Sequence, residues 1–173
     1  SDLDKNQLLA TLYAIHHGVY KMSQAIAGLV ETSNNLARIN AGSGSIEISC
    51  LTRSAVESGK QDLSNQMKAI GYLGNFKVGF SGDYPGWSPN SNSAILDITD
   101  KIYQQQNPDK PHIAACHAGL ECGILSQHLP RVDMVSIGPT ILGAHSPDER
   151  ANIQSVDKFW HLLKGILADI PAR

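Results

Sequence analysis

The feature that most limits how this chain can fold is a short connector, Asn40-Ala-Gly-Ser-Gly44, set between two runs that read as extended. The first run is Gly28–Ile39 and the second is Ser45–Thr52. Glycine and serine allow a tight reversal, so the two runs should close as a hairpin. In the second run Ile46, Ile48, Cys50 and Thr52 alternate with Glu47, Ser49, Leu51 and Arg53. Period two fits a sheet with one solvated face. The flanking segments supply cover for the other face. Leu8, Leu9, Leu12, Ile15, His16 and Val19 recur at three- and four-residue steps, which predicts a helix over about Asp4–Tyr20. Val56, Leu63, Met67 and Ile70 predict another over 54–71, and Phe76–Phe80 reads as a short strand. Residues 1–82 therefore predict an α+β layer, with helices on one face of an antiparallel sheet.

Ser81–Asn90 breaks the pattern with two prolines and two glycines. It fits either a crossing between domains or a long surface loop. Beyond it the order becomes helix (92–105), buried strand (Ile113–Cys116), helix (about 119–128), strand (Met134–Ile137) and helix (154–168). Strands alternating with helices predict an α/β unit with parallel pairing.

Composition narrows the function classes. At 173 residues the chain is one domain or two small ones. Fourteen basic against sixteen acidic residues exclude a strongly basic nucleic-acid binder and a polyacidic tail. No apolar run approaches the ~18 residues of a membrane span. The chain opens Ser1-Asp-Leu-Asp, without the layout of a signal peptide. Cys50, Cys116 and Cys122, an odd and sparse set in a chain without a signal, read as reduced, buried thiols of a cytosolic protein, and the lack of a CxxC pair disfavours a structural zinc knuckle.

Three places could carry chemistry. The loop Cys116–Gly123 leaves a predicted buried strand and enters a helix, where Gly119 permits close backbone approach and helix amides favour an anion. The other reading is that His117 and Glu121 cap that helix. In the loop Gly138–Arg150, His145 could bind a metal, with a nearby carboxylate fixing its tautomer. Alternatively Ser146 or Asp148 caps the last helix and His145 is incidental. Arg53, at the end of the second extended run, suits a carboxylate bidentately, although arginines so placed are often solvated. His16, His17, His112, His128 and His161 read as structural or exposed, and Trp87 as a pocket wall or loop anchor.

The strings GLVETSNNLA, CLTRS, YPGW.PN..S, ACHAGLECG and DMVSIGPTI.GAHSPDE occur in this order along nearly the whole chain. Together they resemble the C-terminal part of the aminoacyl-histidine dipeptidases, cytosolic relatives of the carnosinases and other di-zinc peptidases. The resemblance implies a homodimeric, cytoplasmic enzyme that hydrolyses Xaa-His and other unblocked dipeptides with metal-activated water and two zinc ions. Residues 1–82 would be the later part of an inserted lid and dimerisation domain. Residues 83–173 would be the closing α/β segment of the catalytic domain. His145 matches the family's last zinc ligand, Arg53 its substrate-carboxylate arginine and Gly119 a substrate-contacting glycine, with Glu121 in the same pocket.

The family's remaining ligands and its general base are a His-x-Asp pair, adjacent glutamates and further aspartates. No His-x-Asp and no Glu-Glu occurs among these residues. A catalytic zinc takes about three protein ligands, so the chain reads as a portion of a longer enzyme that neither retains zinc nor cleaves peptides alone. The rival readings are a non-catalytic lid or dimerisation module, an unrelated α/β ligand-binding domain, and a single-metal hydrolase using His145 with Asp148 or Glu149.

Overall fold

The structure, a computed structural model, describes residues 1–88, 90, 92–117 and 120–171. It contains helices and antiparallel sheet, divided between two compact units, Ser1–Pro89 with Ala115–Pro130 and Asn90–Ala114 with Arg131–Arg173.

The first unit begins with α1 (Asp2–Ala14), whose start is fixed by a capping box between Ser1 and Asp4. The helix stops well short of Tyr20. Gly18 takes a φ of 104°, and Gly18–Met22 forms strand β1 instead. β2 (Val30–Gly42) and β3 (Ser45–Ser54) complete a three-stranded antiparallel sheet in the order β1-β2-β3. The expected hairpin is present, and its turn is only two residues long. Ser43 and Gly44 have φ of 51° and 75° between the paired Gly42 and Ser45. Two positive φ values match the right-handed twist of the strands they join. Ala37 is an extra residue in β2, a bulge between the pairs Leu36–Cys50 and Arg38–Ser49.

The sheet is buried at its base and exposed towards its tip. Thr32 and Asn34 are almost fully buried, whereas Ile39 and Ile46 are exposed. Helix α2 (Glu57–Leu73) packs on the base through Leu63, which is fully buried. The approach is close at Gly59, where an added Cβ would lie 2.5 Å from Thr32 Oγ1 and 3.0 Å from Ser54 Oγ. Those two hydroxyls hydrogen-bond each other at 2.8 Å, so each satisfies the other. Tyr20, the extra residue of a bulge in β1, reaches over to donate to Asp62 of α2 at 2.8 Å.

After α2 the chain carries no ladder at Phe76–Phe80, where the alternating pattern predicts a strand. It then crosses the end of β3 so tightly that a Cβ at Gly86 would meet the Ala55 carbonyl at 2.6 Å. Helix α4 (Glu121–His128) lies against the same segment, with Gly123 facing the Pro85 carbonyl.

The second unit pairs α3 (Ala94–Gln106) with α5 (Ile153–Asp169) around Ile102 and Ile166. A Cβ on Gly165 would lie 2.6 Å from Ile102 Cγ2, so glycine sets the helix spacing. The short strands β4 (Ile141–Leu142) and β5 (Arg150–Ala151) pair antiparallel, which the sequence pattern does not predict. The runs Ile113–Cys116 and Met134–Ile137 carry no strand pairing among the described residues. Apolar runs become strands only where a neighbouring edge offers backbone partners, and none meets them among the described residues.

Candidate functional site

A groove of about 840 Å³ runs along the outer edge of β3, lined by every residue from Glu47 to Ser54 and closed by α2, residues 79–85 and His117. Arg53, the penultimate residue of β3, lies in it, exposed. No carboxylate stands within ion-pair distance of its guanidinium among the described residues.

The groove's other cations are engaged. Lys60 contacts Asp83 at 2.6 Å and Glu57 at 3.0 Å, and donates to the Tyr84 carbonyl at 2.9 Å. Burial alone would lower the Lys60 pKa, but its bonds to Asp83 and Glu57 outweigh that and raise it, so the clamp stays charged. Lys68 lies over the Phe80 ring at 5.4 Å from its centroid.

His117 does not cap α4. The N-cap there is Leu120, without a side-chain cap bond, and the His117 ring turns to the sheet, where Nε2 meets Ser33 Oγ at 2.8 Å. Ser33 stands directly opposite Arg53 in the β2–β3 register. Burial and then the positive charge of Arg53 hold the His117 pKa below the ordinary histidine value. Sequence reasoning does not mark this imidazole as a groove residue. Its only local signal is its place in the glycine-rich loop. Glu121 is exposed in the first turn of α4, where a carboxylate suits the helix dipole. Gly119 lies outside the described residues.

In the second unit, His145 has a positive φ of 65° and is exposed. The turn that holds it is tied at several points. The His145 N–H donates to Glu149 Oε2 at 2.9 Å, and Ser146 Oγ donates to the Gly143 carbonyl at 2.7 Å. Glu149 is thus engaged with backbone, and Asp148 offers its carbonyl to Arg150 at 3.3 Å. Neither Ser146 nor Asp148 caps α5; Asn152 does so, accepting from the Ser155 N–H.

The described residues do not by themselves fit a zinc ion, for no three His, Cys, Asp or Glu side chains gather to hold one. Nor are the thiols all buried as expected. Cys50 and Cys116 are exposed, Cys122 is half-buried, and all three are free. No helix among the described residues is long and apolar enough to cross a membrane.

Comparison with known proteins bears out the resemblance read from the motifs. The chain is 40% identical over 169 residues to the cytosol non-specific dipeptidase of Escherichia coli K12, covering 98% of this chain and 35% of that protein. The crystal structure of aminoacylhistidine dipeptidase from Vibrio alginolyticus matches with a TM-score of 0.84 and 38% identity, over 98% of this chain and 34% of that one. The chain therefore spans about a third of the length of these relatives. No family model matches it.

Proposed function

We propose that the chain is the C-terminal part of a zinc-dependent dipeptidase acting on Xaa-His and other unblocked dipeptides. Residues 1–82 form the later part of its lid and dimerisation domain, and residues 83–173 the closing segment of its catalytic domain. The whole protein is a cytoplasmic homodimer, and the chain alone is inactive.

The observation that carries this reading is Arg53, a guanidinium without a carboxylate partner among the described residues, in a groove whose volume suits a small ligand. A free carboxylate takes both of its N–H faces. A longer peptide would bring a neutral amide to the same place, so short, free-ended substrates are preferred. The backbone at Gly119 and the carboxylate of Glu121 flank the substrate. His145 supplies one metal nitrogen, from a turn whose exposed ring leaves it accessible. The other ligands and the general base come from outside these 173 residues, so no hydrolytic step belongs to this chain alone.

The test is kinetic. In the whole protein, Arg53→Ala should raise KM for Ala-His while kcat holds, because charged hydrogen bonds of roughly 1.5–3 kcal/mol are lost. An unchanged KM would remove the assignment. Zinc-dependent dipeptidase activity from the purified 173-residue chain would refute its proposed inactivity.

A further inference from the structure

His117 gives the groove a feature that a lone arginine would not provide. Its ring is half-buried, Nε2 is held by Ser33 at 2.8 Å, and Nδ1 has no hydrogen-bond partner among the described residues. Ser33 is the cross-strand neighbour of Arg53. Directly opposed residues share a face, with Cβ atoms about 4.5–5.5 Å apart. An imidazole hung on Ser33 is thereby brought over the ground where the guanidinium stands.

We propose that His117, positioned by Ser33, is a second recognition residue for the substrate's C-terminal carboxylate, its Nδ1–H and the Arg53 guanidinium forming a two-point grip. The proposal rests on the dipeptidase reading and adds to it a determinant of specificity for free-ended substrates.

The chemistry of the ring agrees with the geometry. A Ser33 hydroxyl that donates to Nε2 leaves the proton on Nδ1, so a neutral ring still presents a donor. Burial and the Arg53 charge keep the ring uncharged near neutral pH, and the second of these causes means that the guanidinium's field reaches it. A carboxylate entering between the two would accept from both. Lys60 is committed to Asp83 and Glu57, and Lys68 to the face of Phe80, so among the described basic side chains of the groove Arg53 and His117 Nδ1 are the ones left unengaged.

The experiment compares Ala-His with its C-terminal amide as substrates of the whole protein. His117→Ala should raise KM for the free dipeptide ~10-fold, equivalent to about 1.4 kcal/mol, with kcat held. It should raise KM for the amide by a smaller factor, because an amide oxygen is the weaker acceptor. Ser33→Ala should reproduce part of that loss, and Ser33→Thr, which keeps the hydroxyl, should restore it. His117→Gln keeps a side-chain donor and should hold KM within about threefold of the parent. Melting curves report whether each variant remains folded.

If His117→Ala slows acid and amide alike, or lowers kcat alone, His117 has only a structural role and the proposal is overturned. If Arg53→Ala separates the two substrates and His117→Ala does not, this proposal falls while the dipeptidase reading stands. If neither variant separates them, both fall.

Discussion

Ser33 and His117, 84 positions apart in the chain, meet through Oγ and Nε2 at 2.8 Å, and the hairpin sets Ser33 opposite Arg53. Arg53 and His117, from two distant stretches, thus line one groove, with Ser33 holding the imidazole.

The ionisation of His117 should report on that arrangement. Burial first and Arg53 second lower its pKa. The folded chain then binds this proton less readily than the unfolded chain, so the ring's contribution to stability is present above about 6.5 and is lost as pH falls from there towards the folded value. Arg53→Gln removes one of the two causes. NMR titration of the ring should therefore show its midpoint rise in that variant; an unmoved midpoint would mean that the guanidinium does not reach it.

Asp133 has the opposite role to a catalytic acid, since it ties down the start of α3. It accepts from the Ile95 N–H at 3.1 Å, from Ser93 Oγ at 2.9 Å and from Asn90 Nδ2 at 3.2 Å. Those bonds, the Ile95 backbone bond foremost, lower its pKa. The stabilisation they bring is present above the unfolded value of about 3.8 and is lost as pH falls through the lower folded value. Asp133→Ala should cost about 1 kcal/mol, with the charge-dependent share screened by salt because the carboxylate is exposed. Urea unfolding at two salt concentrations measures this, and a variant as stable as the parent would contradict it.

At Gly59 the helix approaches the sheet too closely for a side chain. Gly59→Ala should destabilise the chain by roughly 1–3 kcal/mol, since Thr32 and Ser54 are buried and hydrogen-bonded and cannot yield cheaply. Gly42→Ala, which meets nothing within 4 Å, should change stability by less than about 0.5 kcal/mol. Equal effects in thermal melts would show that α2 does not pack as described.

His145 holds its backbone at a φ of 65° that glycine would adopt without strain. His145→Gly should therefore leave the chain as stable or up to about 1 kcal/mol more stable, while the whole protein loses most activity and one zinc equivalent binds more weakly. Melting curves and metal titration read the two halves separately. A destabilised variant would refute the strain, and full zinc affinity would refute the ligand role.

The hairpin is legible because period-two alternation around a glycine-serine connector is local, and so is Arg53 at its inner end. The helices α2, α3, α4 and α5 follow from apolar spacing to within a few residues. The first helix reads too long because Ile15 and Val19 continue a helical step. What diverts the chain is non-local, the open side of β2, which pairs with Gly18–Met22. Ile113–Cys116 and Met134–Ile137 fail in the reverse way, being apolar enough for strands but with no ladder partner among the described residues. The Ser33–His117 bond is invisible for a similar reason, since register fixes what faces Ser33 on β3 but not which loop returns to it.

The bulge at Ala37 divides the hairpin mechanically. Inward of it, Asn34 accepts from Thr52 at 2.9 Å and Thr32 bonds Ser54, so the pairing there is pinned by side chains. Trimming or lengthening the outer arm by matched pairs would leave the guanidinium aimed as before. A single-residue deletion on β3 between the bulge and Arg53 would instead rotate that side chain to the opposite surface and blind the groove.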